Sequence, residues 1–294
     1  MDRQDDIERG MALIPTLDEV MKESADPATL RIYDEIEAAL RVPFVNFVFR
    51  VLANRPAFFQ PAWTRLAPIA RSRGFEAAAD RVRGRAALEA DLATVDLRSA
   101  GDDLERIRAY SRTIHHVVPK LLLSVTAFDL DAAGEAVPDA ATGSGTDLAD
   151  LDAMPPGMVE GAVAIPMVDP AAAEGKVAEL FRDIQATHGH PGVATYYRAL
   201  AQWPELLDGL WQAVRPLVGG PALQDRRRVV LDLAAEEMRA LRAAARAAGL
   251  LEGDPPVLPA DQKAEIRAIL AVFRFRIIPD LLLVAPLLRR LLER

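Results

Sequence analysis

A stretch covering residues 33–68 returns at residues 181–216 with one fixed spacing. The first copy carries Y-D-E-I from Tyr33, Pro43, R-V-L-A-N-R-P from Arg50, Trp63 and Pro68. The second carries F-R-D-I from Phe181, Pro191, R-A-L-A-Q-W-P from Arg198, Trp211 and Pro216. Every pair lies 148 residues apart, with no gap. A second set of matches, I-R-A at 107–109 against 266–268 and P-K-L-L-L from Pro119 against P-D-L-L-L from Pro279, has an offset of 159 rising to 160. A duplication of this length means one unit built twice, and two such units are expected to pack about a pseudo-twofold axis with a cleft between them. The expected division is an N-terminal segment 1–27, a first repeat 28–131, a linker 132–165 and a second repeat 166–294.

The units should be helical. Ala, Leu and Arg are abundant and aromatic residues make up only 6%, a composition of strong helix formers, so the expected fold class is all-α. Asp26 before Pro27 reads as a helix cap, and Leu30, Tyr33, Ile36 and Leu40 then hold three- and four-residue spacing to about Leu40. Pro43 should open an almost wholly apolar helix over 43–54. Pro56 should open the next, which carries Trp63 and ends or bends at Pro68. Residues 75–96 read as one long Ala- and Arg-rich helix, and Asp102 opens another. The Gly/Asp/Ser/Pro-rich run around 132–160 reads as linker, and 252–260 as a second break.

Charge and cysteine content remove several functions. A net charge of −8 argues against a broad nucleic-acid surface, which needs clustered Lys and Arg. With Cys 0 there is no disulfide, thiolate nucleophile or cysteine-based metal site. The charged first residues lack the apolar core of an export signal, and the C-terminal apolar run is broken by Asp280 and Pro286, so a cytoplasmic protein without a membrane span is expected.

Taken together, Y-D-E-I at Tyr33, L-R-V-P-F-V at Leu40, R-V-L-A at Arg50, A-W at Trp63, P-K-L-L-L at Pro119 and R-A-L-A-Q-W-P at Arg198 resemble the group I 2-haloacid dehalogenases. That family hydrolyses both enantiomers of small 2-halocarboxylic acids. The resemblance runs from about Tyr33 to near the C-terminus. It implies an all-helical pseudo-dimer, subunits paired as homodimers, no cofactor, and a single aspartate that activates the water displacing halide. Alignment through R-A-L-A-Q-W-P puts that aspartate at Tyr196, with Ala194 and Thr195 beside it. The pocket positions fall on Phe44, Phe47, Val118 and Leu121. An ordinary tyrosine titrates near about 10 and is a poor base, so ordinary dehalogenation is not expected from Tyr196. The alternative is a non-catalytic homologue, ligand-binding or structural, that kept the fold.

His188, His190 and Asp280 are the candidate replacement bases. Asp280 and Lys120 follow the matched prolines and are expected to meet as a buried ion pair across the axis. Arg274 and Arg276, before the second proline, are candidates for holding a substrate carboxylate. His115 and His116 are adjacent and should point about 100° apart on a helix, which disfavours joint metal ligation; no metal is expected. Trp63, Trp211, Arg50 and Arg198 read as repeat architecture.

Overall fold

In the computed structural model, residues 3–137, 151–251 and 254–294 are described. The N-terminal segment begins with α1 (Arg3–Leu13). Asp26 then caps α2 (Pro27–Leu40), its Oδ1 accepting from the amides of Ala28 at 2.8 Å and Thr29 at 3.1 Å. The helix ends on Arg41 with φ +63°. The turn that follows delays α3 to Phe47–Leu52, four residues later than Pro43 suggests. α4 (Pro56–Ala70) continues through both Pro61 and Pro68 and stops two residues beyond the second.

α5 spans Arg73–Ala86 and is shorter than the expected 75–96 helix. The chain beyond it is non-helical because other partners take its backbone: the Ala90 carbonyl accepts from Arg290 and the Leu92 carbonyl from Arg294 at 3.0 Å. Tertiary contacts override local helix propensity here. After a 3₁₀ stretch at Leu97–Asp103, α6 (Leu104–Ala133) forms the longest helix among the described residues.

The remaining helices are α7 (Gly175–His188), α8 (Thr195–Leu200), α9 (Pro204–Val214), α10 (Pro221–Ala247), α11 (Ala260–Val272) and α12 (Ile278–Leu292). The described residues contain no strand, so the fold is all-α. Residues 138–150 of the expected linker lie outside the described residues, as do 252–253 of the second break.

The 148-residue offset recurs in the helix boundaries. α2 and α7 begin and end 148 residues apart, as do α3 and α8, and α4 and α9 begin 148 apart. It recurs in contacts as well. Trp63 Nε1 donates to Glu35 at 2.9 Å and Trp211 Nε1 to Asp183 at 2.7 Å. The Val20 amide donates to the Arg50 carbonyl at 3.1 Å and the Val168 amide to the Arg198 carbonyl at 3.0 Å.

Proline acts differently in the two long central segments. Pro119 sits inside α6, where it can donate nothing to the His115 carbonyl. That carbonyl instead accepts from Arg83 Nε at 3.1 Å, and the His116 carbonyl from Arg83 Nη2 at 3.2 Å. Before Pro279 the chain widens into a single π turn at Phe273–Ile277 joining α11 to α12. Such turns displace a helical register by one residue and re-aim its side chains.

Lys120 and Asp280 do not pair with each other. Lys120 is fully buried and bonds Glu76 of α5 at 2.7 Å, while Asp280 bonds Arg227 of α10. A charge buried at each proline is neutralised within its own half, with the signs reversed. Burial raises the cost of either lone charge, and each is met by an opposite charge on a packed neighbouring helix.

Candidate functional site

The two irregularities flank one small cavity of about 50 Å³. Since a single water needs about 10–15 Å³ by this measure, it holds a handful of heavy atoms at most. Val118 and Leu121 of α6, on either side of Pro119, form one wall. Phe273 and Ile277 from the π turn, with Ile278 and Leu281 of α12, form the opposite wall. The start of α3 adds Asn46, Phe47 and Val48, and the α7–α8 connection adds Gly192, Val193, Ala194 and the first residue of α8, Thr195.

Of the expected site residues, Phe47, Val118, Leu121, Ala194 and Thr195 line this cavity. The others are elsewhere. Phe44 packs against Tyr110 at 6.4 Å between ring centroids. Tyr196 is fully buried, stands edge-on to Tyr110 at 5.9 Å, and donates its hydroxyl to Ser111 Oγ at 2.6 Å. Burial pushes its phenol well above the usual range, with the Ser111 hydrogen bond only partly opposing this. Neither Tyr196 nor Phe44 fills the cavity.

The expected carboxylate clamp is also not formed. Arg274 is bound to Asp129 and lies over the Phe275 ring at 4.8 Å. Arg276 reaches back to the carbonyls of His188 at 3.5 Å and Gly189 at 3.4 Å, where it caps α7. Both guanidiniums serve helix ends and ion pairs, and neither lines the cavity.

Asn46, Val48, Gly192, Val193, Phe273, Ile277, Ile278 and Leu281 were not singled out from sequence. A signal for two of them was present. Advancing Val118 and Leu121 by the 160-residue offset of the proline motifs lands on Ile278 and Leu281. Asn46 was missed because nothing in its local sequence distinguishes it from a helix cap. Its Oδ1 is buried at the cavity without a hydrogen-bond partner.

Among the lining residues, none titrates near neutral pH: the polar side chains are Asn46 and Thr195. The candidate bases gather instead on a neighbouring face. His188 Nδ1 stands 3.7 Å and His190 Nε2 3.8 Å from Asp280 Oδ2, with all three residues buried. The imidazoles stack at 5.3 Å, and His188 Nε2 meets the Tyr197 hydroxyl at 3.1 Å. Burial, with the neighbouring His188, lowers His190 to about 4, so this imidazole is neutral at pH 7. His115 and His116 separate as expected, the first to Arg289 at 3.2 Å and the second to Lys120 at 2.9 Å.

The fold is all-α, and the proline-bearing segments of α6 and of the α11–α12 junction line a small, mostly apolar cavity. The particular family follows from comparison. The family model described as "Halocarboxylic acid dehydrogenase DehI" matches residues 43–196, and the chain belongs to that family.

The chain is 31% identical over 185 residues to "2-haloacid dehalogenase, configuration-inverting" from Pseudomonas sp. (strain 113), a match covering 60% of this chain and 59% of that relative. It is 28% identical over 239 residues to "(R)-2-haloacid dehalogenase" from Pseudomonas putida, covering 76% and 75%. Among solved structures, a D-2-haloacid dehalogenase in complex with L-LA superposes with a TM-score of 0.79 at 25% identity, covering 94% of this chain and 96% of that one. These names are configuration-inverting, (R)- and D-. The resemblance to a both-enantiomer, group I type is therefore corrected to the 2-haloacid dehalogenases as a family.

Proposed function

We propose that the chain is a 2-haloacid dehalogenase homologue that takes a small 2-halocarboxylic acid into the Phe47–Leu281 cavity but lacks ordinary water-activated dehalogenation, because Tyr196 stands at the family's aspartate position. The observation that carries this is the cavity wall. It offers Asn46 and Thr195 as polar contacts and no carboxylate or imidazole.

Displacing halide from C2 by water requires a base to take the proton as the oxygen attacks, while the halide leaves with the bonding pair. A base must be ionised and within hydrogen-bond reach of that water. Tyr196 meets neither condition, since its phenol is held protonated by burial and its hydroxyl is committed to Ser111. Asn46 is suited to orienting a carboxylate, because its amide can turn its NH₂ toward an anion and its Oδ1 has no partner to lose. The apolar wall suits an alkyl group and a halogen. Two helical units packed about a pseudo-twofold, and a homodimer of the whole chain, belong to the same reading.

A second reading has one observation in its favour: the His188–His190–Asp280 cluster shares the α7–α8 connection and α12 with the cavity wall. In that reading the chain hydrolyses the acid with a relocated base. Equilibrium binding and halide release, measured with D- and L-2-chloropropionate on the same sample, separate the two. The first reading expects binding without halide and loss of binding in Val118→Phe, which fills the cavity. Halide release that is insensitive to chelators and lost in His190→Gln supports the second. Absence of binding refutes the first.

A further inference from the structure

We propose that His188, His190 and Asp280 form a site for one borderline transition-metal ion of the Zn²⁺ type, with the fourth position left open. The inference is independent of the proposed function, because its readout is metal binding and not turnover.

One ligand atom from each of the three residues lies within 4.8 Å of the others, and all three residues are buried. His188 Nδ1, His190 Nδ1 and Asp280 Oδ2 have no hydrogen-bond partner. Buried polar atoms are normally satisfied, so the orphaned His188 Nδ1 and Asp280 Oδ2, which face each other at 3.7 Å, call for a ligand, and His190 approaches the same oxygen through Nε2. A proton does not serve, because the 3.7 and 3.8 Å separations from Oδ2 exceed hydrogen-bond length. Ligand atoms on a tetrahedral zinc at about 2.0–2.1 Å stand roughly 3.3 Å apart. Closing on an ion therefore shortens the two imidazole–carboxylate separations by about half an ångström and draws together ligand atoms that now lie within 4.8 Å of one another.

Two imidazoles and one carboxylate are a zinc-type donor set. The outer contacts complete it. Tyr197 holds His188 Nε2 at 3.1 Å, and this fixes the ring so that Nδ1 faces Asp280. Arg227 binds the other carboxylate oxygen, Oδ1, and leaves Oδ2 free. Arg227 and the nearby Arg276 bring positive charge that weakens the site, and this gives it a signature. Removing the Arg227 charge should tighten metal binding, whereas for a purely structural ion pair it would only destabilise the protein.

The test titrates the metal-free full chain with Co²⁺ and then displaces it with Zn²⁺. The expected result is one ion per chain with the visible bands of a four-coordinate Co²⁺, and a raised melting temperature with Zn²⁺. Affinity should fall at least about tenfold in His190→Gln, whose position on the α7–α8 connection spares the helices, and rise in Arg227→Met. If Arg227→Met does not fold, the wild-type spectrum together with His190→Gln decides alone. A wild type with no stoichiometric binding, or binding that His190→Gln leaves unchanged, overturns the proposal.

Discussion

Replacing Lys120 with Met should cost about 3 kcal/mol of stability, and adding Glu76→Leu should restore most of it. Lys120 lies in the stretch of α6 that places Val118 and Leu121 on the cavity wall, and it is fully buried. Its ammonium bonds Glu76 at 2.7 Å, the Leu40 carbonyl at 3.1 Å and His116 Nε2 at 2.9 Å. Burial lowers the Lys120 pKa, with Glu76 opposing it. Glu76 moves down as well, since the attraction of Lys120 and its hydrogen bond outweigh the upward push of burial.

Breaking a buried pair from one side typically costs 3–5 kcal/mol, because the remaining charge is left uncompensated. The Glu76 side chain keeps 19% exposure and can turn partly to water, which sets the estimate near the lower end, about 3 kcal/mol. The double variant Glu76→Leu/Lys120→Met removes both charges at similar volume and is expected within about 1 kcal/mol of wild type. Urea unfolding followed by the fluorescence of Trp63, Trp203 and Trp211 measures all three. In thermal scans the single variant should melt about 6 °C lower for a chain of this size. A Lys120→Met variant less than about 1 kcal/mol destabilised, or a double variant no better than the single, would refute the reasoning.

Gly10→Ala should destabilise by about 1–3 kcal/mol. An added Cβ would stand 2.1 Å from the Ala268 carbonyl of α11, a backbone atom that moves only if α1 and α11 part; a melting curve checks this. Stability should also fall as pH drops from about 6.5 towards 4. His190 is lowered to about 4 in the fold, so over that window the unfolded chain takes a proton that the folded chain refuses. The loss per such group is about 3 kcal/mol below both values, with no dependence on this group above pH 7. His190→Gln should flatten that part of the urea-midpoint profile.

The helices were legible where local signals agreed. Asp26-Pro27 marked the start of α2, the apolar spacing its buried face, and the repeat offset carried both to α7. The boundaries failed where tertiary partners decided. Residues 87–96 have helical composition, yet their carbonyls are claimed by Arg290 and Arg294, about two hundred positions away. Five of the thirteen wall residues, Phe47, Val118, Leu121, Ala194 and Thr195, followed from the resemblance, and Ile278 and Leu281 could have followed from the proline offset.

The π turn had no sequence signal beyond Pro279, so Phe273 and Ile277 stayed hidden. The partner of Lys120 was misassigned because matched positions after two prolines suggested symmetry. Whether a buried charge meets its symmetry mate or a neighbouring helix depends on packing that periodicity does not encode. The convergence of His188, His190 and Asp280 likewise needed the fold, since about ninety residues separate the pair of histidines from the aspartate.

The central claim is that a competent cavity survives without its base, and restoring the base tests it most directly. Halide release from D- and L-2-chloropropionate should be absent in wild type and measurable in Tyr196→Asp, with Tyr196→Asn, which has no ionisable group, as the inactive control. Release by wild type at a rate that Tyr196→Asp does not raise would contradict it.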